Sequence, residues 1–194
     1  MSILALDIAT TTGWAFGAAG EKPRHGANTL EPTGEDLGRY AYAYVQWLTG
    51  LVRTLQPKEI VYEAPVLPQP RFNKEKGKIE QLTNIMTLRK LYSLTTLTEL
   101  VALSEAVPCS EITSGQWRKA FLGQLYPSHN ARNPSKRAER DDFKRAAIAV
   151  CRMMKWEPNG SDDAEALGIW YVTTCDRNPK FAANDVINRM ASAS

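Results

Sequence analysis

Four carboxylates stand where a charge is costly unless it has a task. Asp7 closes the apolar run Ile3-Leu4-Ala5-Leu6, and Glu63 closes Ile60-Val61-Tyr62. Asp162 and Glu165 are spaced i, i+3, which puts them on one face of a helix's first turns, while Asp163 points elsewhere. Burying a carboxylate costs several kcal/mol, of order, unless it is paired or holds a metal. Two strand-end carboxylates plus a helix-borne pair would make an acidic cluster if the two strands lie side by side, and such a cluster repels itself until divalent cations neutralise it. The chain has only two histidines, His25 and His129, so the ligands are oxygens and the cation is a hard one, Mg²⁺ or Mn²⁺. Taken singly, each acid has an ordinary reading as a turn former, a surface residue or a helix-start acid; their order and spacing favour the cluster.

The elements that must carry these groups are legible in outline. Residues 2–7 read as a buried strand, 13–17 as a second, and 23–30 as a third closing an antiparallel meander. Thr33-Gly34-Glu35-Asp36 resembles a capping box, and Leu37, Tyr40, Tyr44, Trp47, Leu48, Leu51 and Leu55 place an amphipathic helix over 35–55. Residues 60–63 form a short strand, ended by Pro65, Pro68 and Pro70. A mobile basic loop is expected over about 68–78 and a long helix over 79–106. Residues 108–112 supply a last strand, and Ser114 caps a helix bearing Trp117 and Phe121. An irregular segment over about 122–138 precedes a helix over 141–154, and Ser161 caps a final helix over 162–175.

Composition bounds the class. The chain has 194 residues, 43% hydrophobic and 23% charged, as in one globular domain. No apolar run is long enough for a membrane span, the first residues lack a basic signal-peptide region, and three scattered cysteines read as reduced thiols, so a cytoplasmic location is expected. The net charge of +3 conceals segregation. Between residues 114 and 156, ten basic residues face three acids; between 71 and 90, six face two; the remainder is net acidic. Two basic surfaces around an acidic centre suit an anionic polymer, though solvated helix and loop faces would also carry such charge.

The acidic motifs carry a resemblance. Leu4-Ala5-Leu6-Asp7-Ile8-Ala9-Thr10-Thr11-Thr12-Gly13-Trp14-Ala15 resembles the opening hairpin of RuvC-type Holliday junction resolvases, with Ala9 where a glycine is usual. Ile60-Val61-Tyr62-Glu63-Ala64-Pro65 is similar to their second acidic motif. Ser161-Asp162-Asp163-Ala164-Glu165-Ala166-Leu167-Gly168-Ile169 resembles their C-terminal motif, with Glu165 replacing an aspartate. The likeness runs nearly the whole chain in order, but residues 71–140 match in layout alone.

The resemblance implies a single RuvC-like nuclease domain over 1–194. Its fold would be α/β, an RNase H-like mixed β-sheet with flanking helices, with the Asp7 and Glu63 strands adjacent and parallel. It implies a homodimer resolving four-way DNA junctions, two ions (Mg²⁺ or Mn²⁺) per active site about 3.5–4 Å apart, and Asp7, Glu63, Asp162 and Glu165 as their ligands. Lys144 would be a basic catalytic helper. Arg71, Phe72, Lys74, Lys76, Lys78, Arg118, Lys119, Lys136 and Arg137 are candidate DNA contacts, Arg118 and Lys119 by positioning the backbone and Phe72 by wedging or stacking. An apolar stripe of Leu82, Met86, Leu91 and Leu94 on the long helix would form the dimer interface. Other readings are a different RNase H-like nuclease, a non-catalytic junction-binding module, and an actin-like ATPase fragment. The last is disfavoured by length and by the lack of a second nucleotide motif.

Overall fold

The structure is a computed structural model that describes residues 1–34, 36–65, 71–73, 78–80 and 85–183, with 71–73 and 78–80 described by backbone alone. A five-stranded mixed sheet is built from β1 (Ser2–Asp7), β2 (Thr11–Ala18), β3 (Arg24–Thr29), β4 (Glu59–Glu63) and a late strand, β7 (Cys109–Ile112), in the order β3-β2-β1-β4-β7. The meander β1-β2-β3 is antiparallel, while β4 runs parallel to β1 and β7 parallel to β4.

The central strand β1 is apolar on both faces because both are covered. Ile3 and Ala5 join a core with α3 (Ser114–Leu122), α4 (Arg140–Met153) and α5 (Ser161–Arg177). Leu4 and Leu6 join a second core with α1 (Leu37–Leu55) and α2 (Ile85–Ser104). Helix α5 lies on the sheet beneath α3 and α4, which is why residues 163–174 are buried on nearly every side. Gly168 permits that packing, since a Cβ there would lie 2.7 Å from the Trp117 ring. On the other face, the Tyr44 hydroxyl and Thr98 Oγ1 lie 2.8 Å apart in a buried bond joining α1 to α2.

Several expectations are corrected. The long helix begins at Ile85 rather than at 79, because Lys78–Glu80 (β6) pairs antiparallel with Arg71–Asn73 (β5) in a separate hairpin. Part of the expected basic loop is therefore strand. Lys74, Lys76 and Leu82 lie outside the described residues, as does Glu35 of the expected capping box. Helix α1 is capped by Asp36, whose side chain accepts from Arg39 N. Thr113, not Ser114, caps α3 in a reciprocal box with Gln116. The segment after α3 contains a 3-10 turn (Gly123–Leu125) and a bridge between His129 and Arg137. Leu94 is 1% exposed and belongs to the α1–α2 core, with Leu91 packed against it, so these two residues of the expected dimer stripe face inward. The exposed apolar side chains of α2 are Ile85, Leu100 and Leu103. Among the described residues, no helix is long and apolar enough to cross a membrane.

Candidate active site

Strand register brings the first two carboxylates together. Leu6 of β1 lies opposite Tyr62 of β4 in the parallel pairing, so Asp7 and Glu63 end side by side at the same edge of the sheet. Asp7 also lies opposite Gly13 of β2. That glycine has a steric purpose: a Cβ would sit 1.9 Å from the carbonyl oxygen of Asp162, so only glycine lets α5 start directly over β2. The first turn of α5 thereby delivers Asp162 and Glu165 above Asp7. Carboxylate oxygens of Asp7, Asp162 and Glu165 all fall within 4.8 Å of one another.

Glu63 stands outside this group of three. Its Oε2 accepts from the Trp117 indole at 2.8 Å, and its Oε1 lies 4.0 Å from the Arg118 guanidinium. Arg118 donates to Glu165 at 2.6 Å and is flanked by the rings of Trp117 and Phe143. Lys144 donates to Asp162 at 2.8 Å and to Ser161 at 3.0 Å, and lies 3.8 Å from Glu165. Two cations thus balance part of the negative charge. They do not reach all of it: Asp7 Oδ2 is buried and has no hydrogen-bond partner.

Electrostatics follow from this crowding. Burial, reinforced by Glu165, Glu63 and Asp162, pushes the Asp7 carboxyl well above the usual carboxylate range, against a smaller pull from Lys144. Burial also raises Glu63, although Arg118 and the Trp117 bond oppose it. An orphaned, buried carboxylate oxygen facing two further carboxylates, with no nitrogen or sulfur donor among them, fits a hard divalent cation. Asp7, Asp162 and Glu165 are the residues that can hold it.

Asp7, Glu63 and Glu165 line a cleft of about 610 Å³ whose walls also carry Tyr40, Lys90, Arg118, Arg140 and Phe143. Arg118, one of the candidate backbone contacts, lies within the acidic centre, whereas Lys119 beside it is exposed. Lys136 and Arg137 are exposed on the loop before α4. Arg71, Phe72 and Lys78 lie on the β5–β6 hairpin. Lys90, Arg140 and the Trp117–Glu63 bond escape sequence reasoning. Nothing local marks Lys90 or Arg140 among the surrounding cations; only the charge surplus of their segments points toward them.

No protein-family model and no curated protein matches the sequence. The fold does have solved counterparts. RuvC of Thermus thermophilus superposes with a TM-score of 0.61 at 15% identity, covering 91% of this chain and 96% of that one. The same organism's RuvC in complex with a Holliday junction substrate gives 0.60 at 13% identity, covering 91% and 95%. The yeast mitochondrial Holliday junction resolvase Ydc2 gives 0.56 at 12% identity, covering 94% and 83%. The chain therefore has the RNase H-like α/β fold of RuvC-type resolvases.

Proposed function

We propose that the protein is a divalent-cation-dependent endonuclease that resolves four-way DNA junctions by hydrolysing a phosphodiester in each of two opposed strands. The observation that carries this reading is the convergence of Asp7, Asp162 and Glu165, with one buried Asp7 oxygen left unpaired, beside a cleft that Asp7 and Glu165 line together with Lys90, Arg118 and Arg140. The solved resolvases of the same fold, one of them bound to a junction, favour branched DNA as the substrate.

Divalent cations held by the carboxylates, two per site with Glu63 as a fourth ligand, would supply activation of a water and charge stabilisation at the scissile phosphate. The chain's own residues do the rest. Trp117 holds one Glu63 oxygen in a fixed direction. Lys144 orients Asp162 and, with Arg118, offers positive charge to the phosphate. Lys90 and Arg140 line the track along which a sugar-phosphate backbone would run. Arg71, Phe72, Lys74, Lys76, Lys78, Lys119, Lys136 and Arg137 would contact the DNA arms outside the cleft. Two copies are part of this reading, since one acidic cluster holds one scissile phosphate and a junction presents two related by a twofold axis.

The test is cleavage of a synthetic four-way junction beside linear duplex, flap and RNA–DNA hybrid, in Mg²⁺ and in EDTA. Paired nicks confined to the junction in Mg²⁺ are expected. Cleavage of the hybrid or flap in preference would assign another nuclease of the same fold, and binding without cleavage would assign a junction-binding module.

A further inference from the structure

Asp163 lies between two of the cation-site acids yet faces away from them. It is 1% exposed, and its oxygens are fully engaged. Oδ1 accepts from Gly160 N at 2.9 Å, and Oδ2 accepts from Asn159 N at 2.8 Å. These two bonds satisfy the start of α5, as a helix cap does. A third contact is not needed for capping: Oδ2 also lies 3.1 Å from Nδ1 of His25, whose side chain is 14% exposed. A carboxylate only accepts, so His25 Nδ1 carries the proton and donates. His25 is on β3, opposite Ala15 of β2, and is separated from Asp163 by 138 residues.

The first turn of α5 is thus fixed from two sides. Beneath it, Gly13 lets the Asp162 backbone rest on β2. Beside it, His25 ties the turn to the edge strand. Between these two attachments sits Asp162, whose side chain meets Asp7 on one side and accepts from Lys144 on the other.

We propose that His25 and Asp163 are a positioning pair that sets the first turn of α5 and thereby the aim of Asp162 in the cation site. The inference rests on the reading of Asp7, Asp162 and Glu165 as cation ligands. Loss of groups that orient metal ligands weakens binding by about 10- to 100-fold. His25 acts through a backbone turn rather than on the ligand itself, so about tenfold is expected.

The experiment titrates Mn²⁺ into the metal-free full chain by calorimetry, without DNA, at a temperature where each variant is fully folded. Thermal unfolding and junction binding in EDTA are measured alongside. His25→Ala should raise the Mn²⁺ Kd about tenfold while leaving junction affinity in EDTA unchanged. His25→Asn, whose Nδ2 takes the place of imidazole Nδ1, should restore Mn²⁺ affinity; His25→Gln, with its donor one bond further out, should not. A purely structural histidine would lower the unfolding temperature and leave the Mn²⁺ Kd at the wild-type value, and that result overturns the proposal. Should His25→Ala not fold, equal Mn²⁺ affinity in the Asn and Gln variants overturns it as well. Wild-type chain that takes up no Mn²⁺ removes both the cation site and this inference. His25-dependent Mn²⁺ binding in a protein that leaves junctions uncut supports the positioning pair and refutes the junction-resolving reading.

Discussion

Asp7 carries the strongest conflict between folding and function. Its carboxyl is buried against Glu165, Glu63 and Asp162, and one oxygen has no partner. A carboxyl whose pKa is higher folded than unfolded binds protons on folding, so the metal-free protein loses stability as pH rises from the ordinary carboxylate range toward that raised value. Asp7→Asn removes this penalty. At neutral pH without metal it should unfold at a higher temperature than wild type, and it should cut no junction while still binding one in EDTA. A lower unfolding temperature would mean that Asp7 is stabilising as it stands. Glu63→Gln, Asp162→Asn and Glu165→Gln should likewise abolish cleavage and spare binding, because affinity comes from Lys and Arg. Asp163→Asn should do less, since its amide keeps one acceptor for the helix start. Gel-based cleavage and mobility-shift assays separate the two effects.

At the level of elements, two contacts decide whether the site assembles. Gly13→Ala drives a methyl group into the Asp162 carbonyl, and backbone has nowhere to go between β2 and α5. A destabilisation of about 1–3 kcal/mol is expected by chemical denaturation, with loss of most cleavage. The second contact organises the basic loop before α4. Asp142 accepts from the backbone of Ala131 and Glu139 and from Arg145, so one carboxylate pins both ends of the segment that carries Lys136 and Arg137. The Glu139 and Ala131 bonds hold its pKa below the usual value. Such a group contributes stability above the ordinary carboxylate pKa, and the contribution disappears as pH falls through the lowered one. Asp142→Asn should therefore be less stable than wild type at neutral pH, with the gap closing on acidification. Equal stability of the two proteins at neutral pH would show that the loop holds together without it.

For the whole molecule, the proposed assembly and substrate make separate demands. Junction affinity should fall steeply with salt, because basic residues displace counterions along several phosphate tracks. Neutralising Lys74, Lys76 and Lys78 should flatten that slope. In sedimentation, the free protein should run as a dimer. Leu94 is not the lever for testing this. As a core residue of the α1–α2 layer, Leu94→Ala should cost about 2–5 kcal/mol, and Leu94→Glu should unfold the protein rather than yield a folded monomer. A folded Leu94→Glu monomer would contradict the observed packing.

Much of the fold is set by local pattern. Ile3-Leu4-Ala5-Leu6 reads as a strand covered on both faces, and the spacing of Tyr40, Tyr44, Leu48 and Leu55 reads as a helix with one buried side, as both are. The acidic motifs are legible because Asp7 and Glu63 each set a charge at the end of an apolar run and Asp162 and Glu165 are spaced i, i+3 at a helix start, arrangements visible without knowing what lies opposite. Other features depend on partners far away in the chain. The 79–106 stretch has helical spacing throughout, yet Lys78–Glu80 pairs with Arg71–Asn73, and strand pairing overrides local periodicity. Leu91 and Leu94 belong to an apolar stripe in either setting; only the docking of α1 on α2 decides that these two face inward. Arg118 and Lys119 are adjacent basic residues of one helix, and the rotation of α3 against α5 sends the first into the acidic centre and the second into water. His25, alone in its strand, has no local signal at all. The sequence by itself determined which groups could do chemistry, because residue type and spacing are local properties. Tertiary structure alone decided which of them meet, because a contact across 138 residues is fixed by how the sheet and helices close on one another.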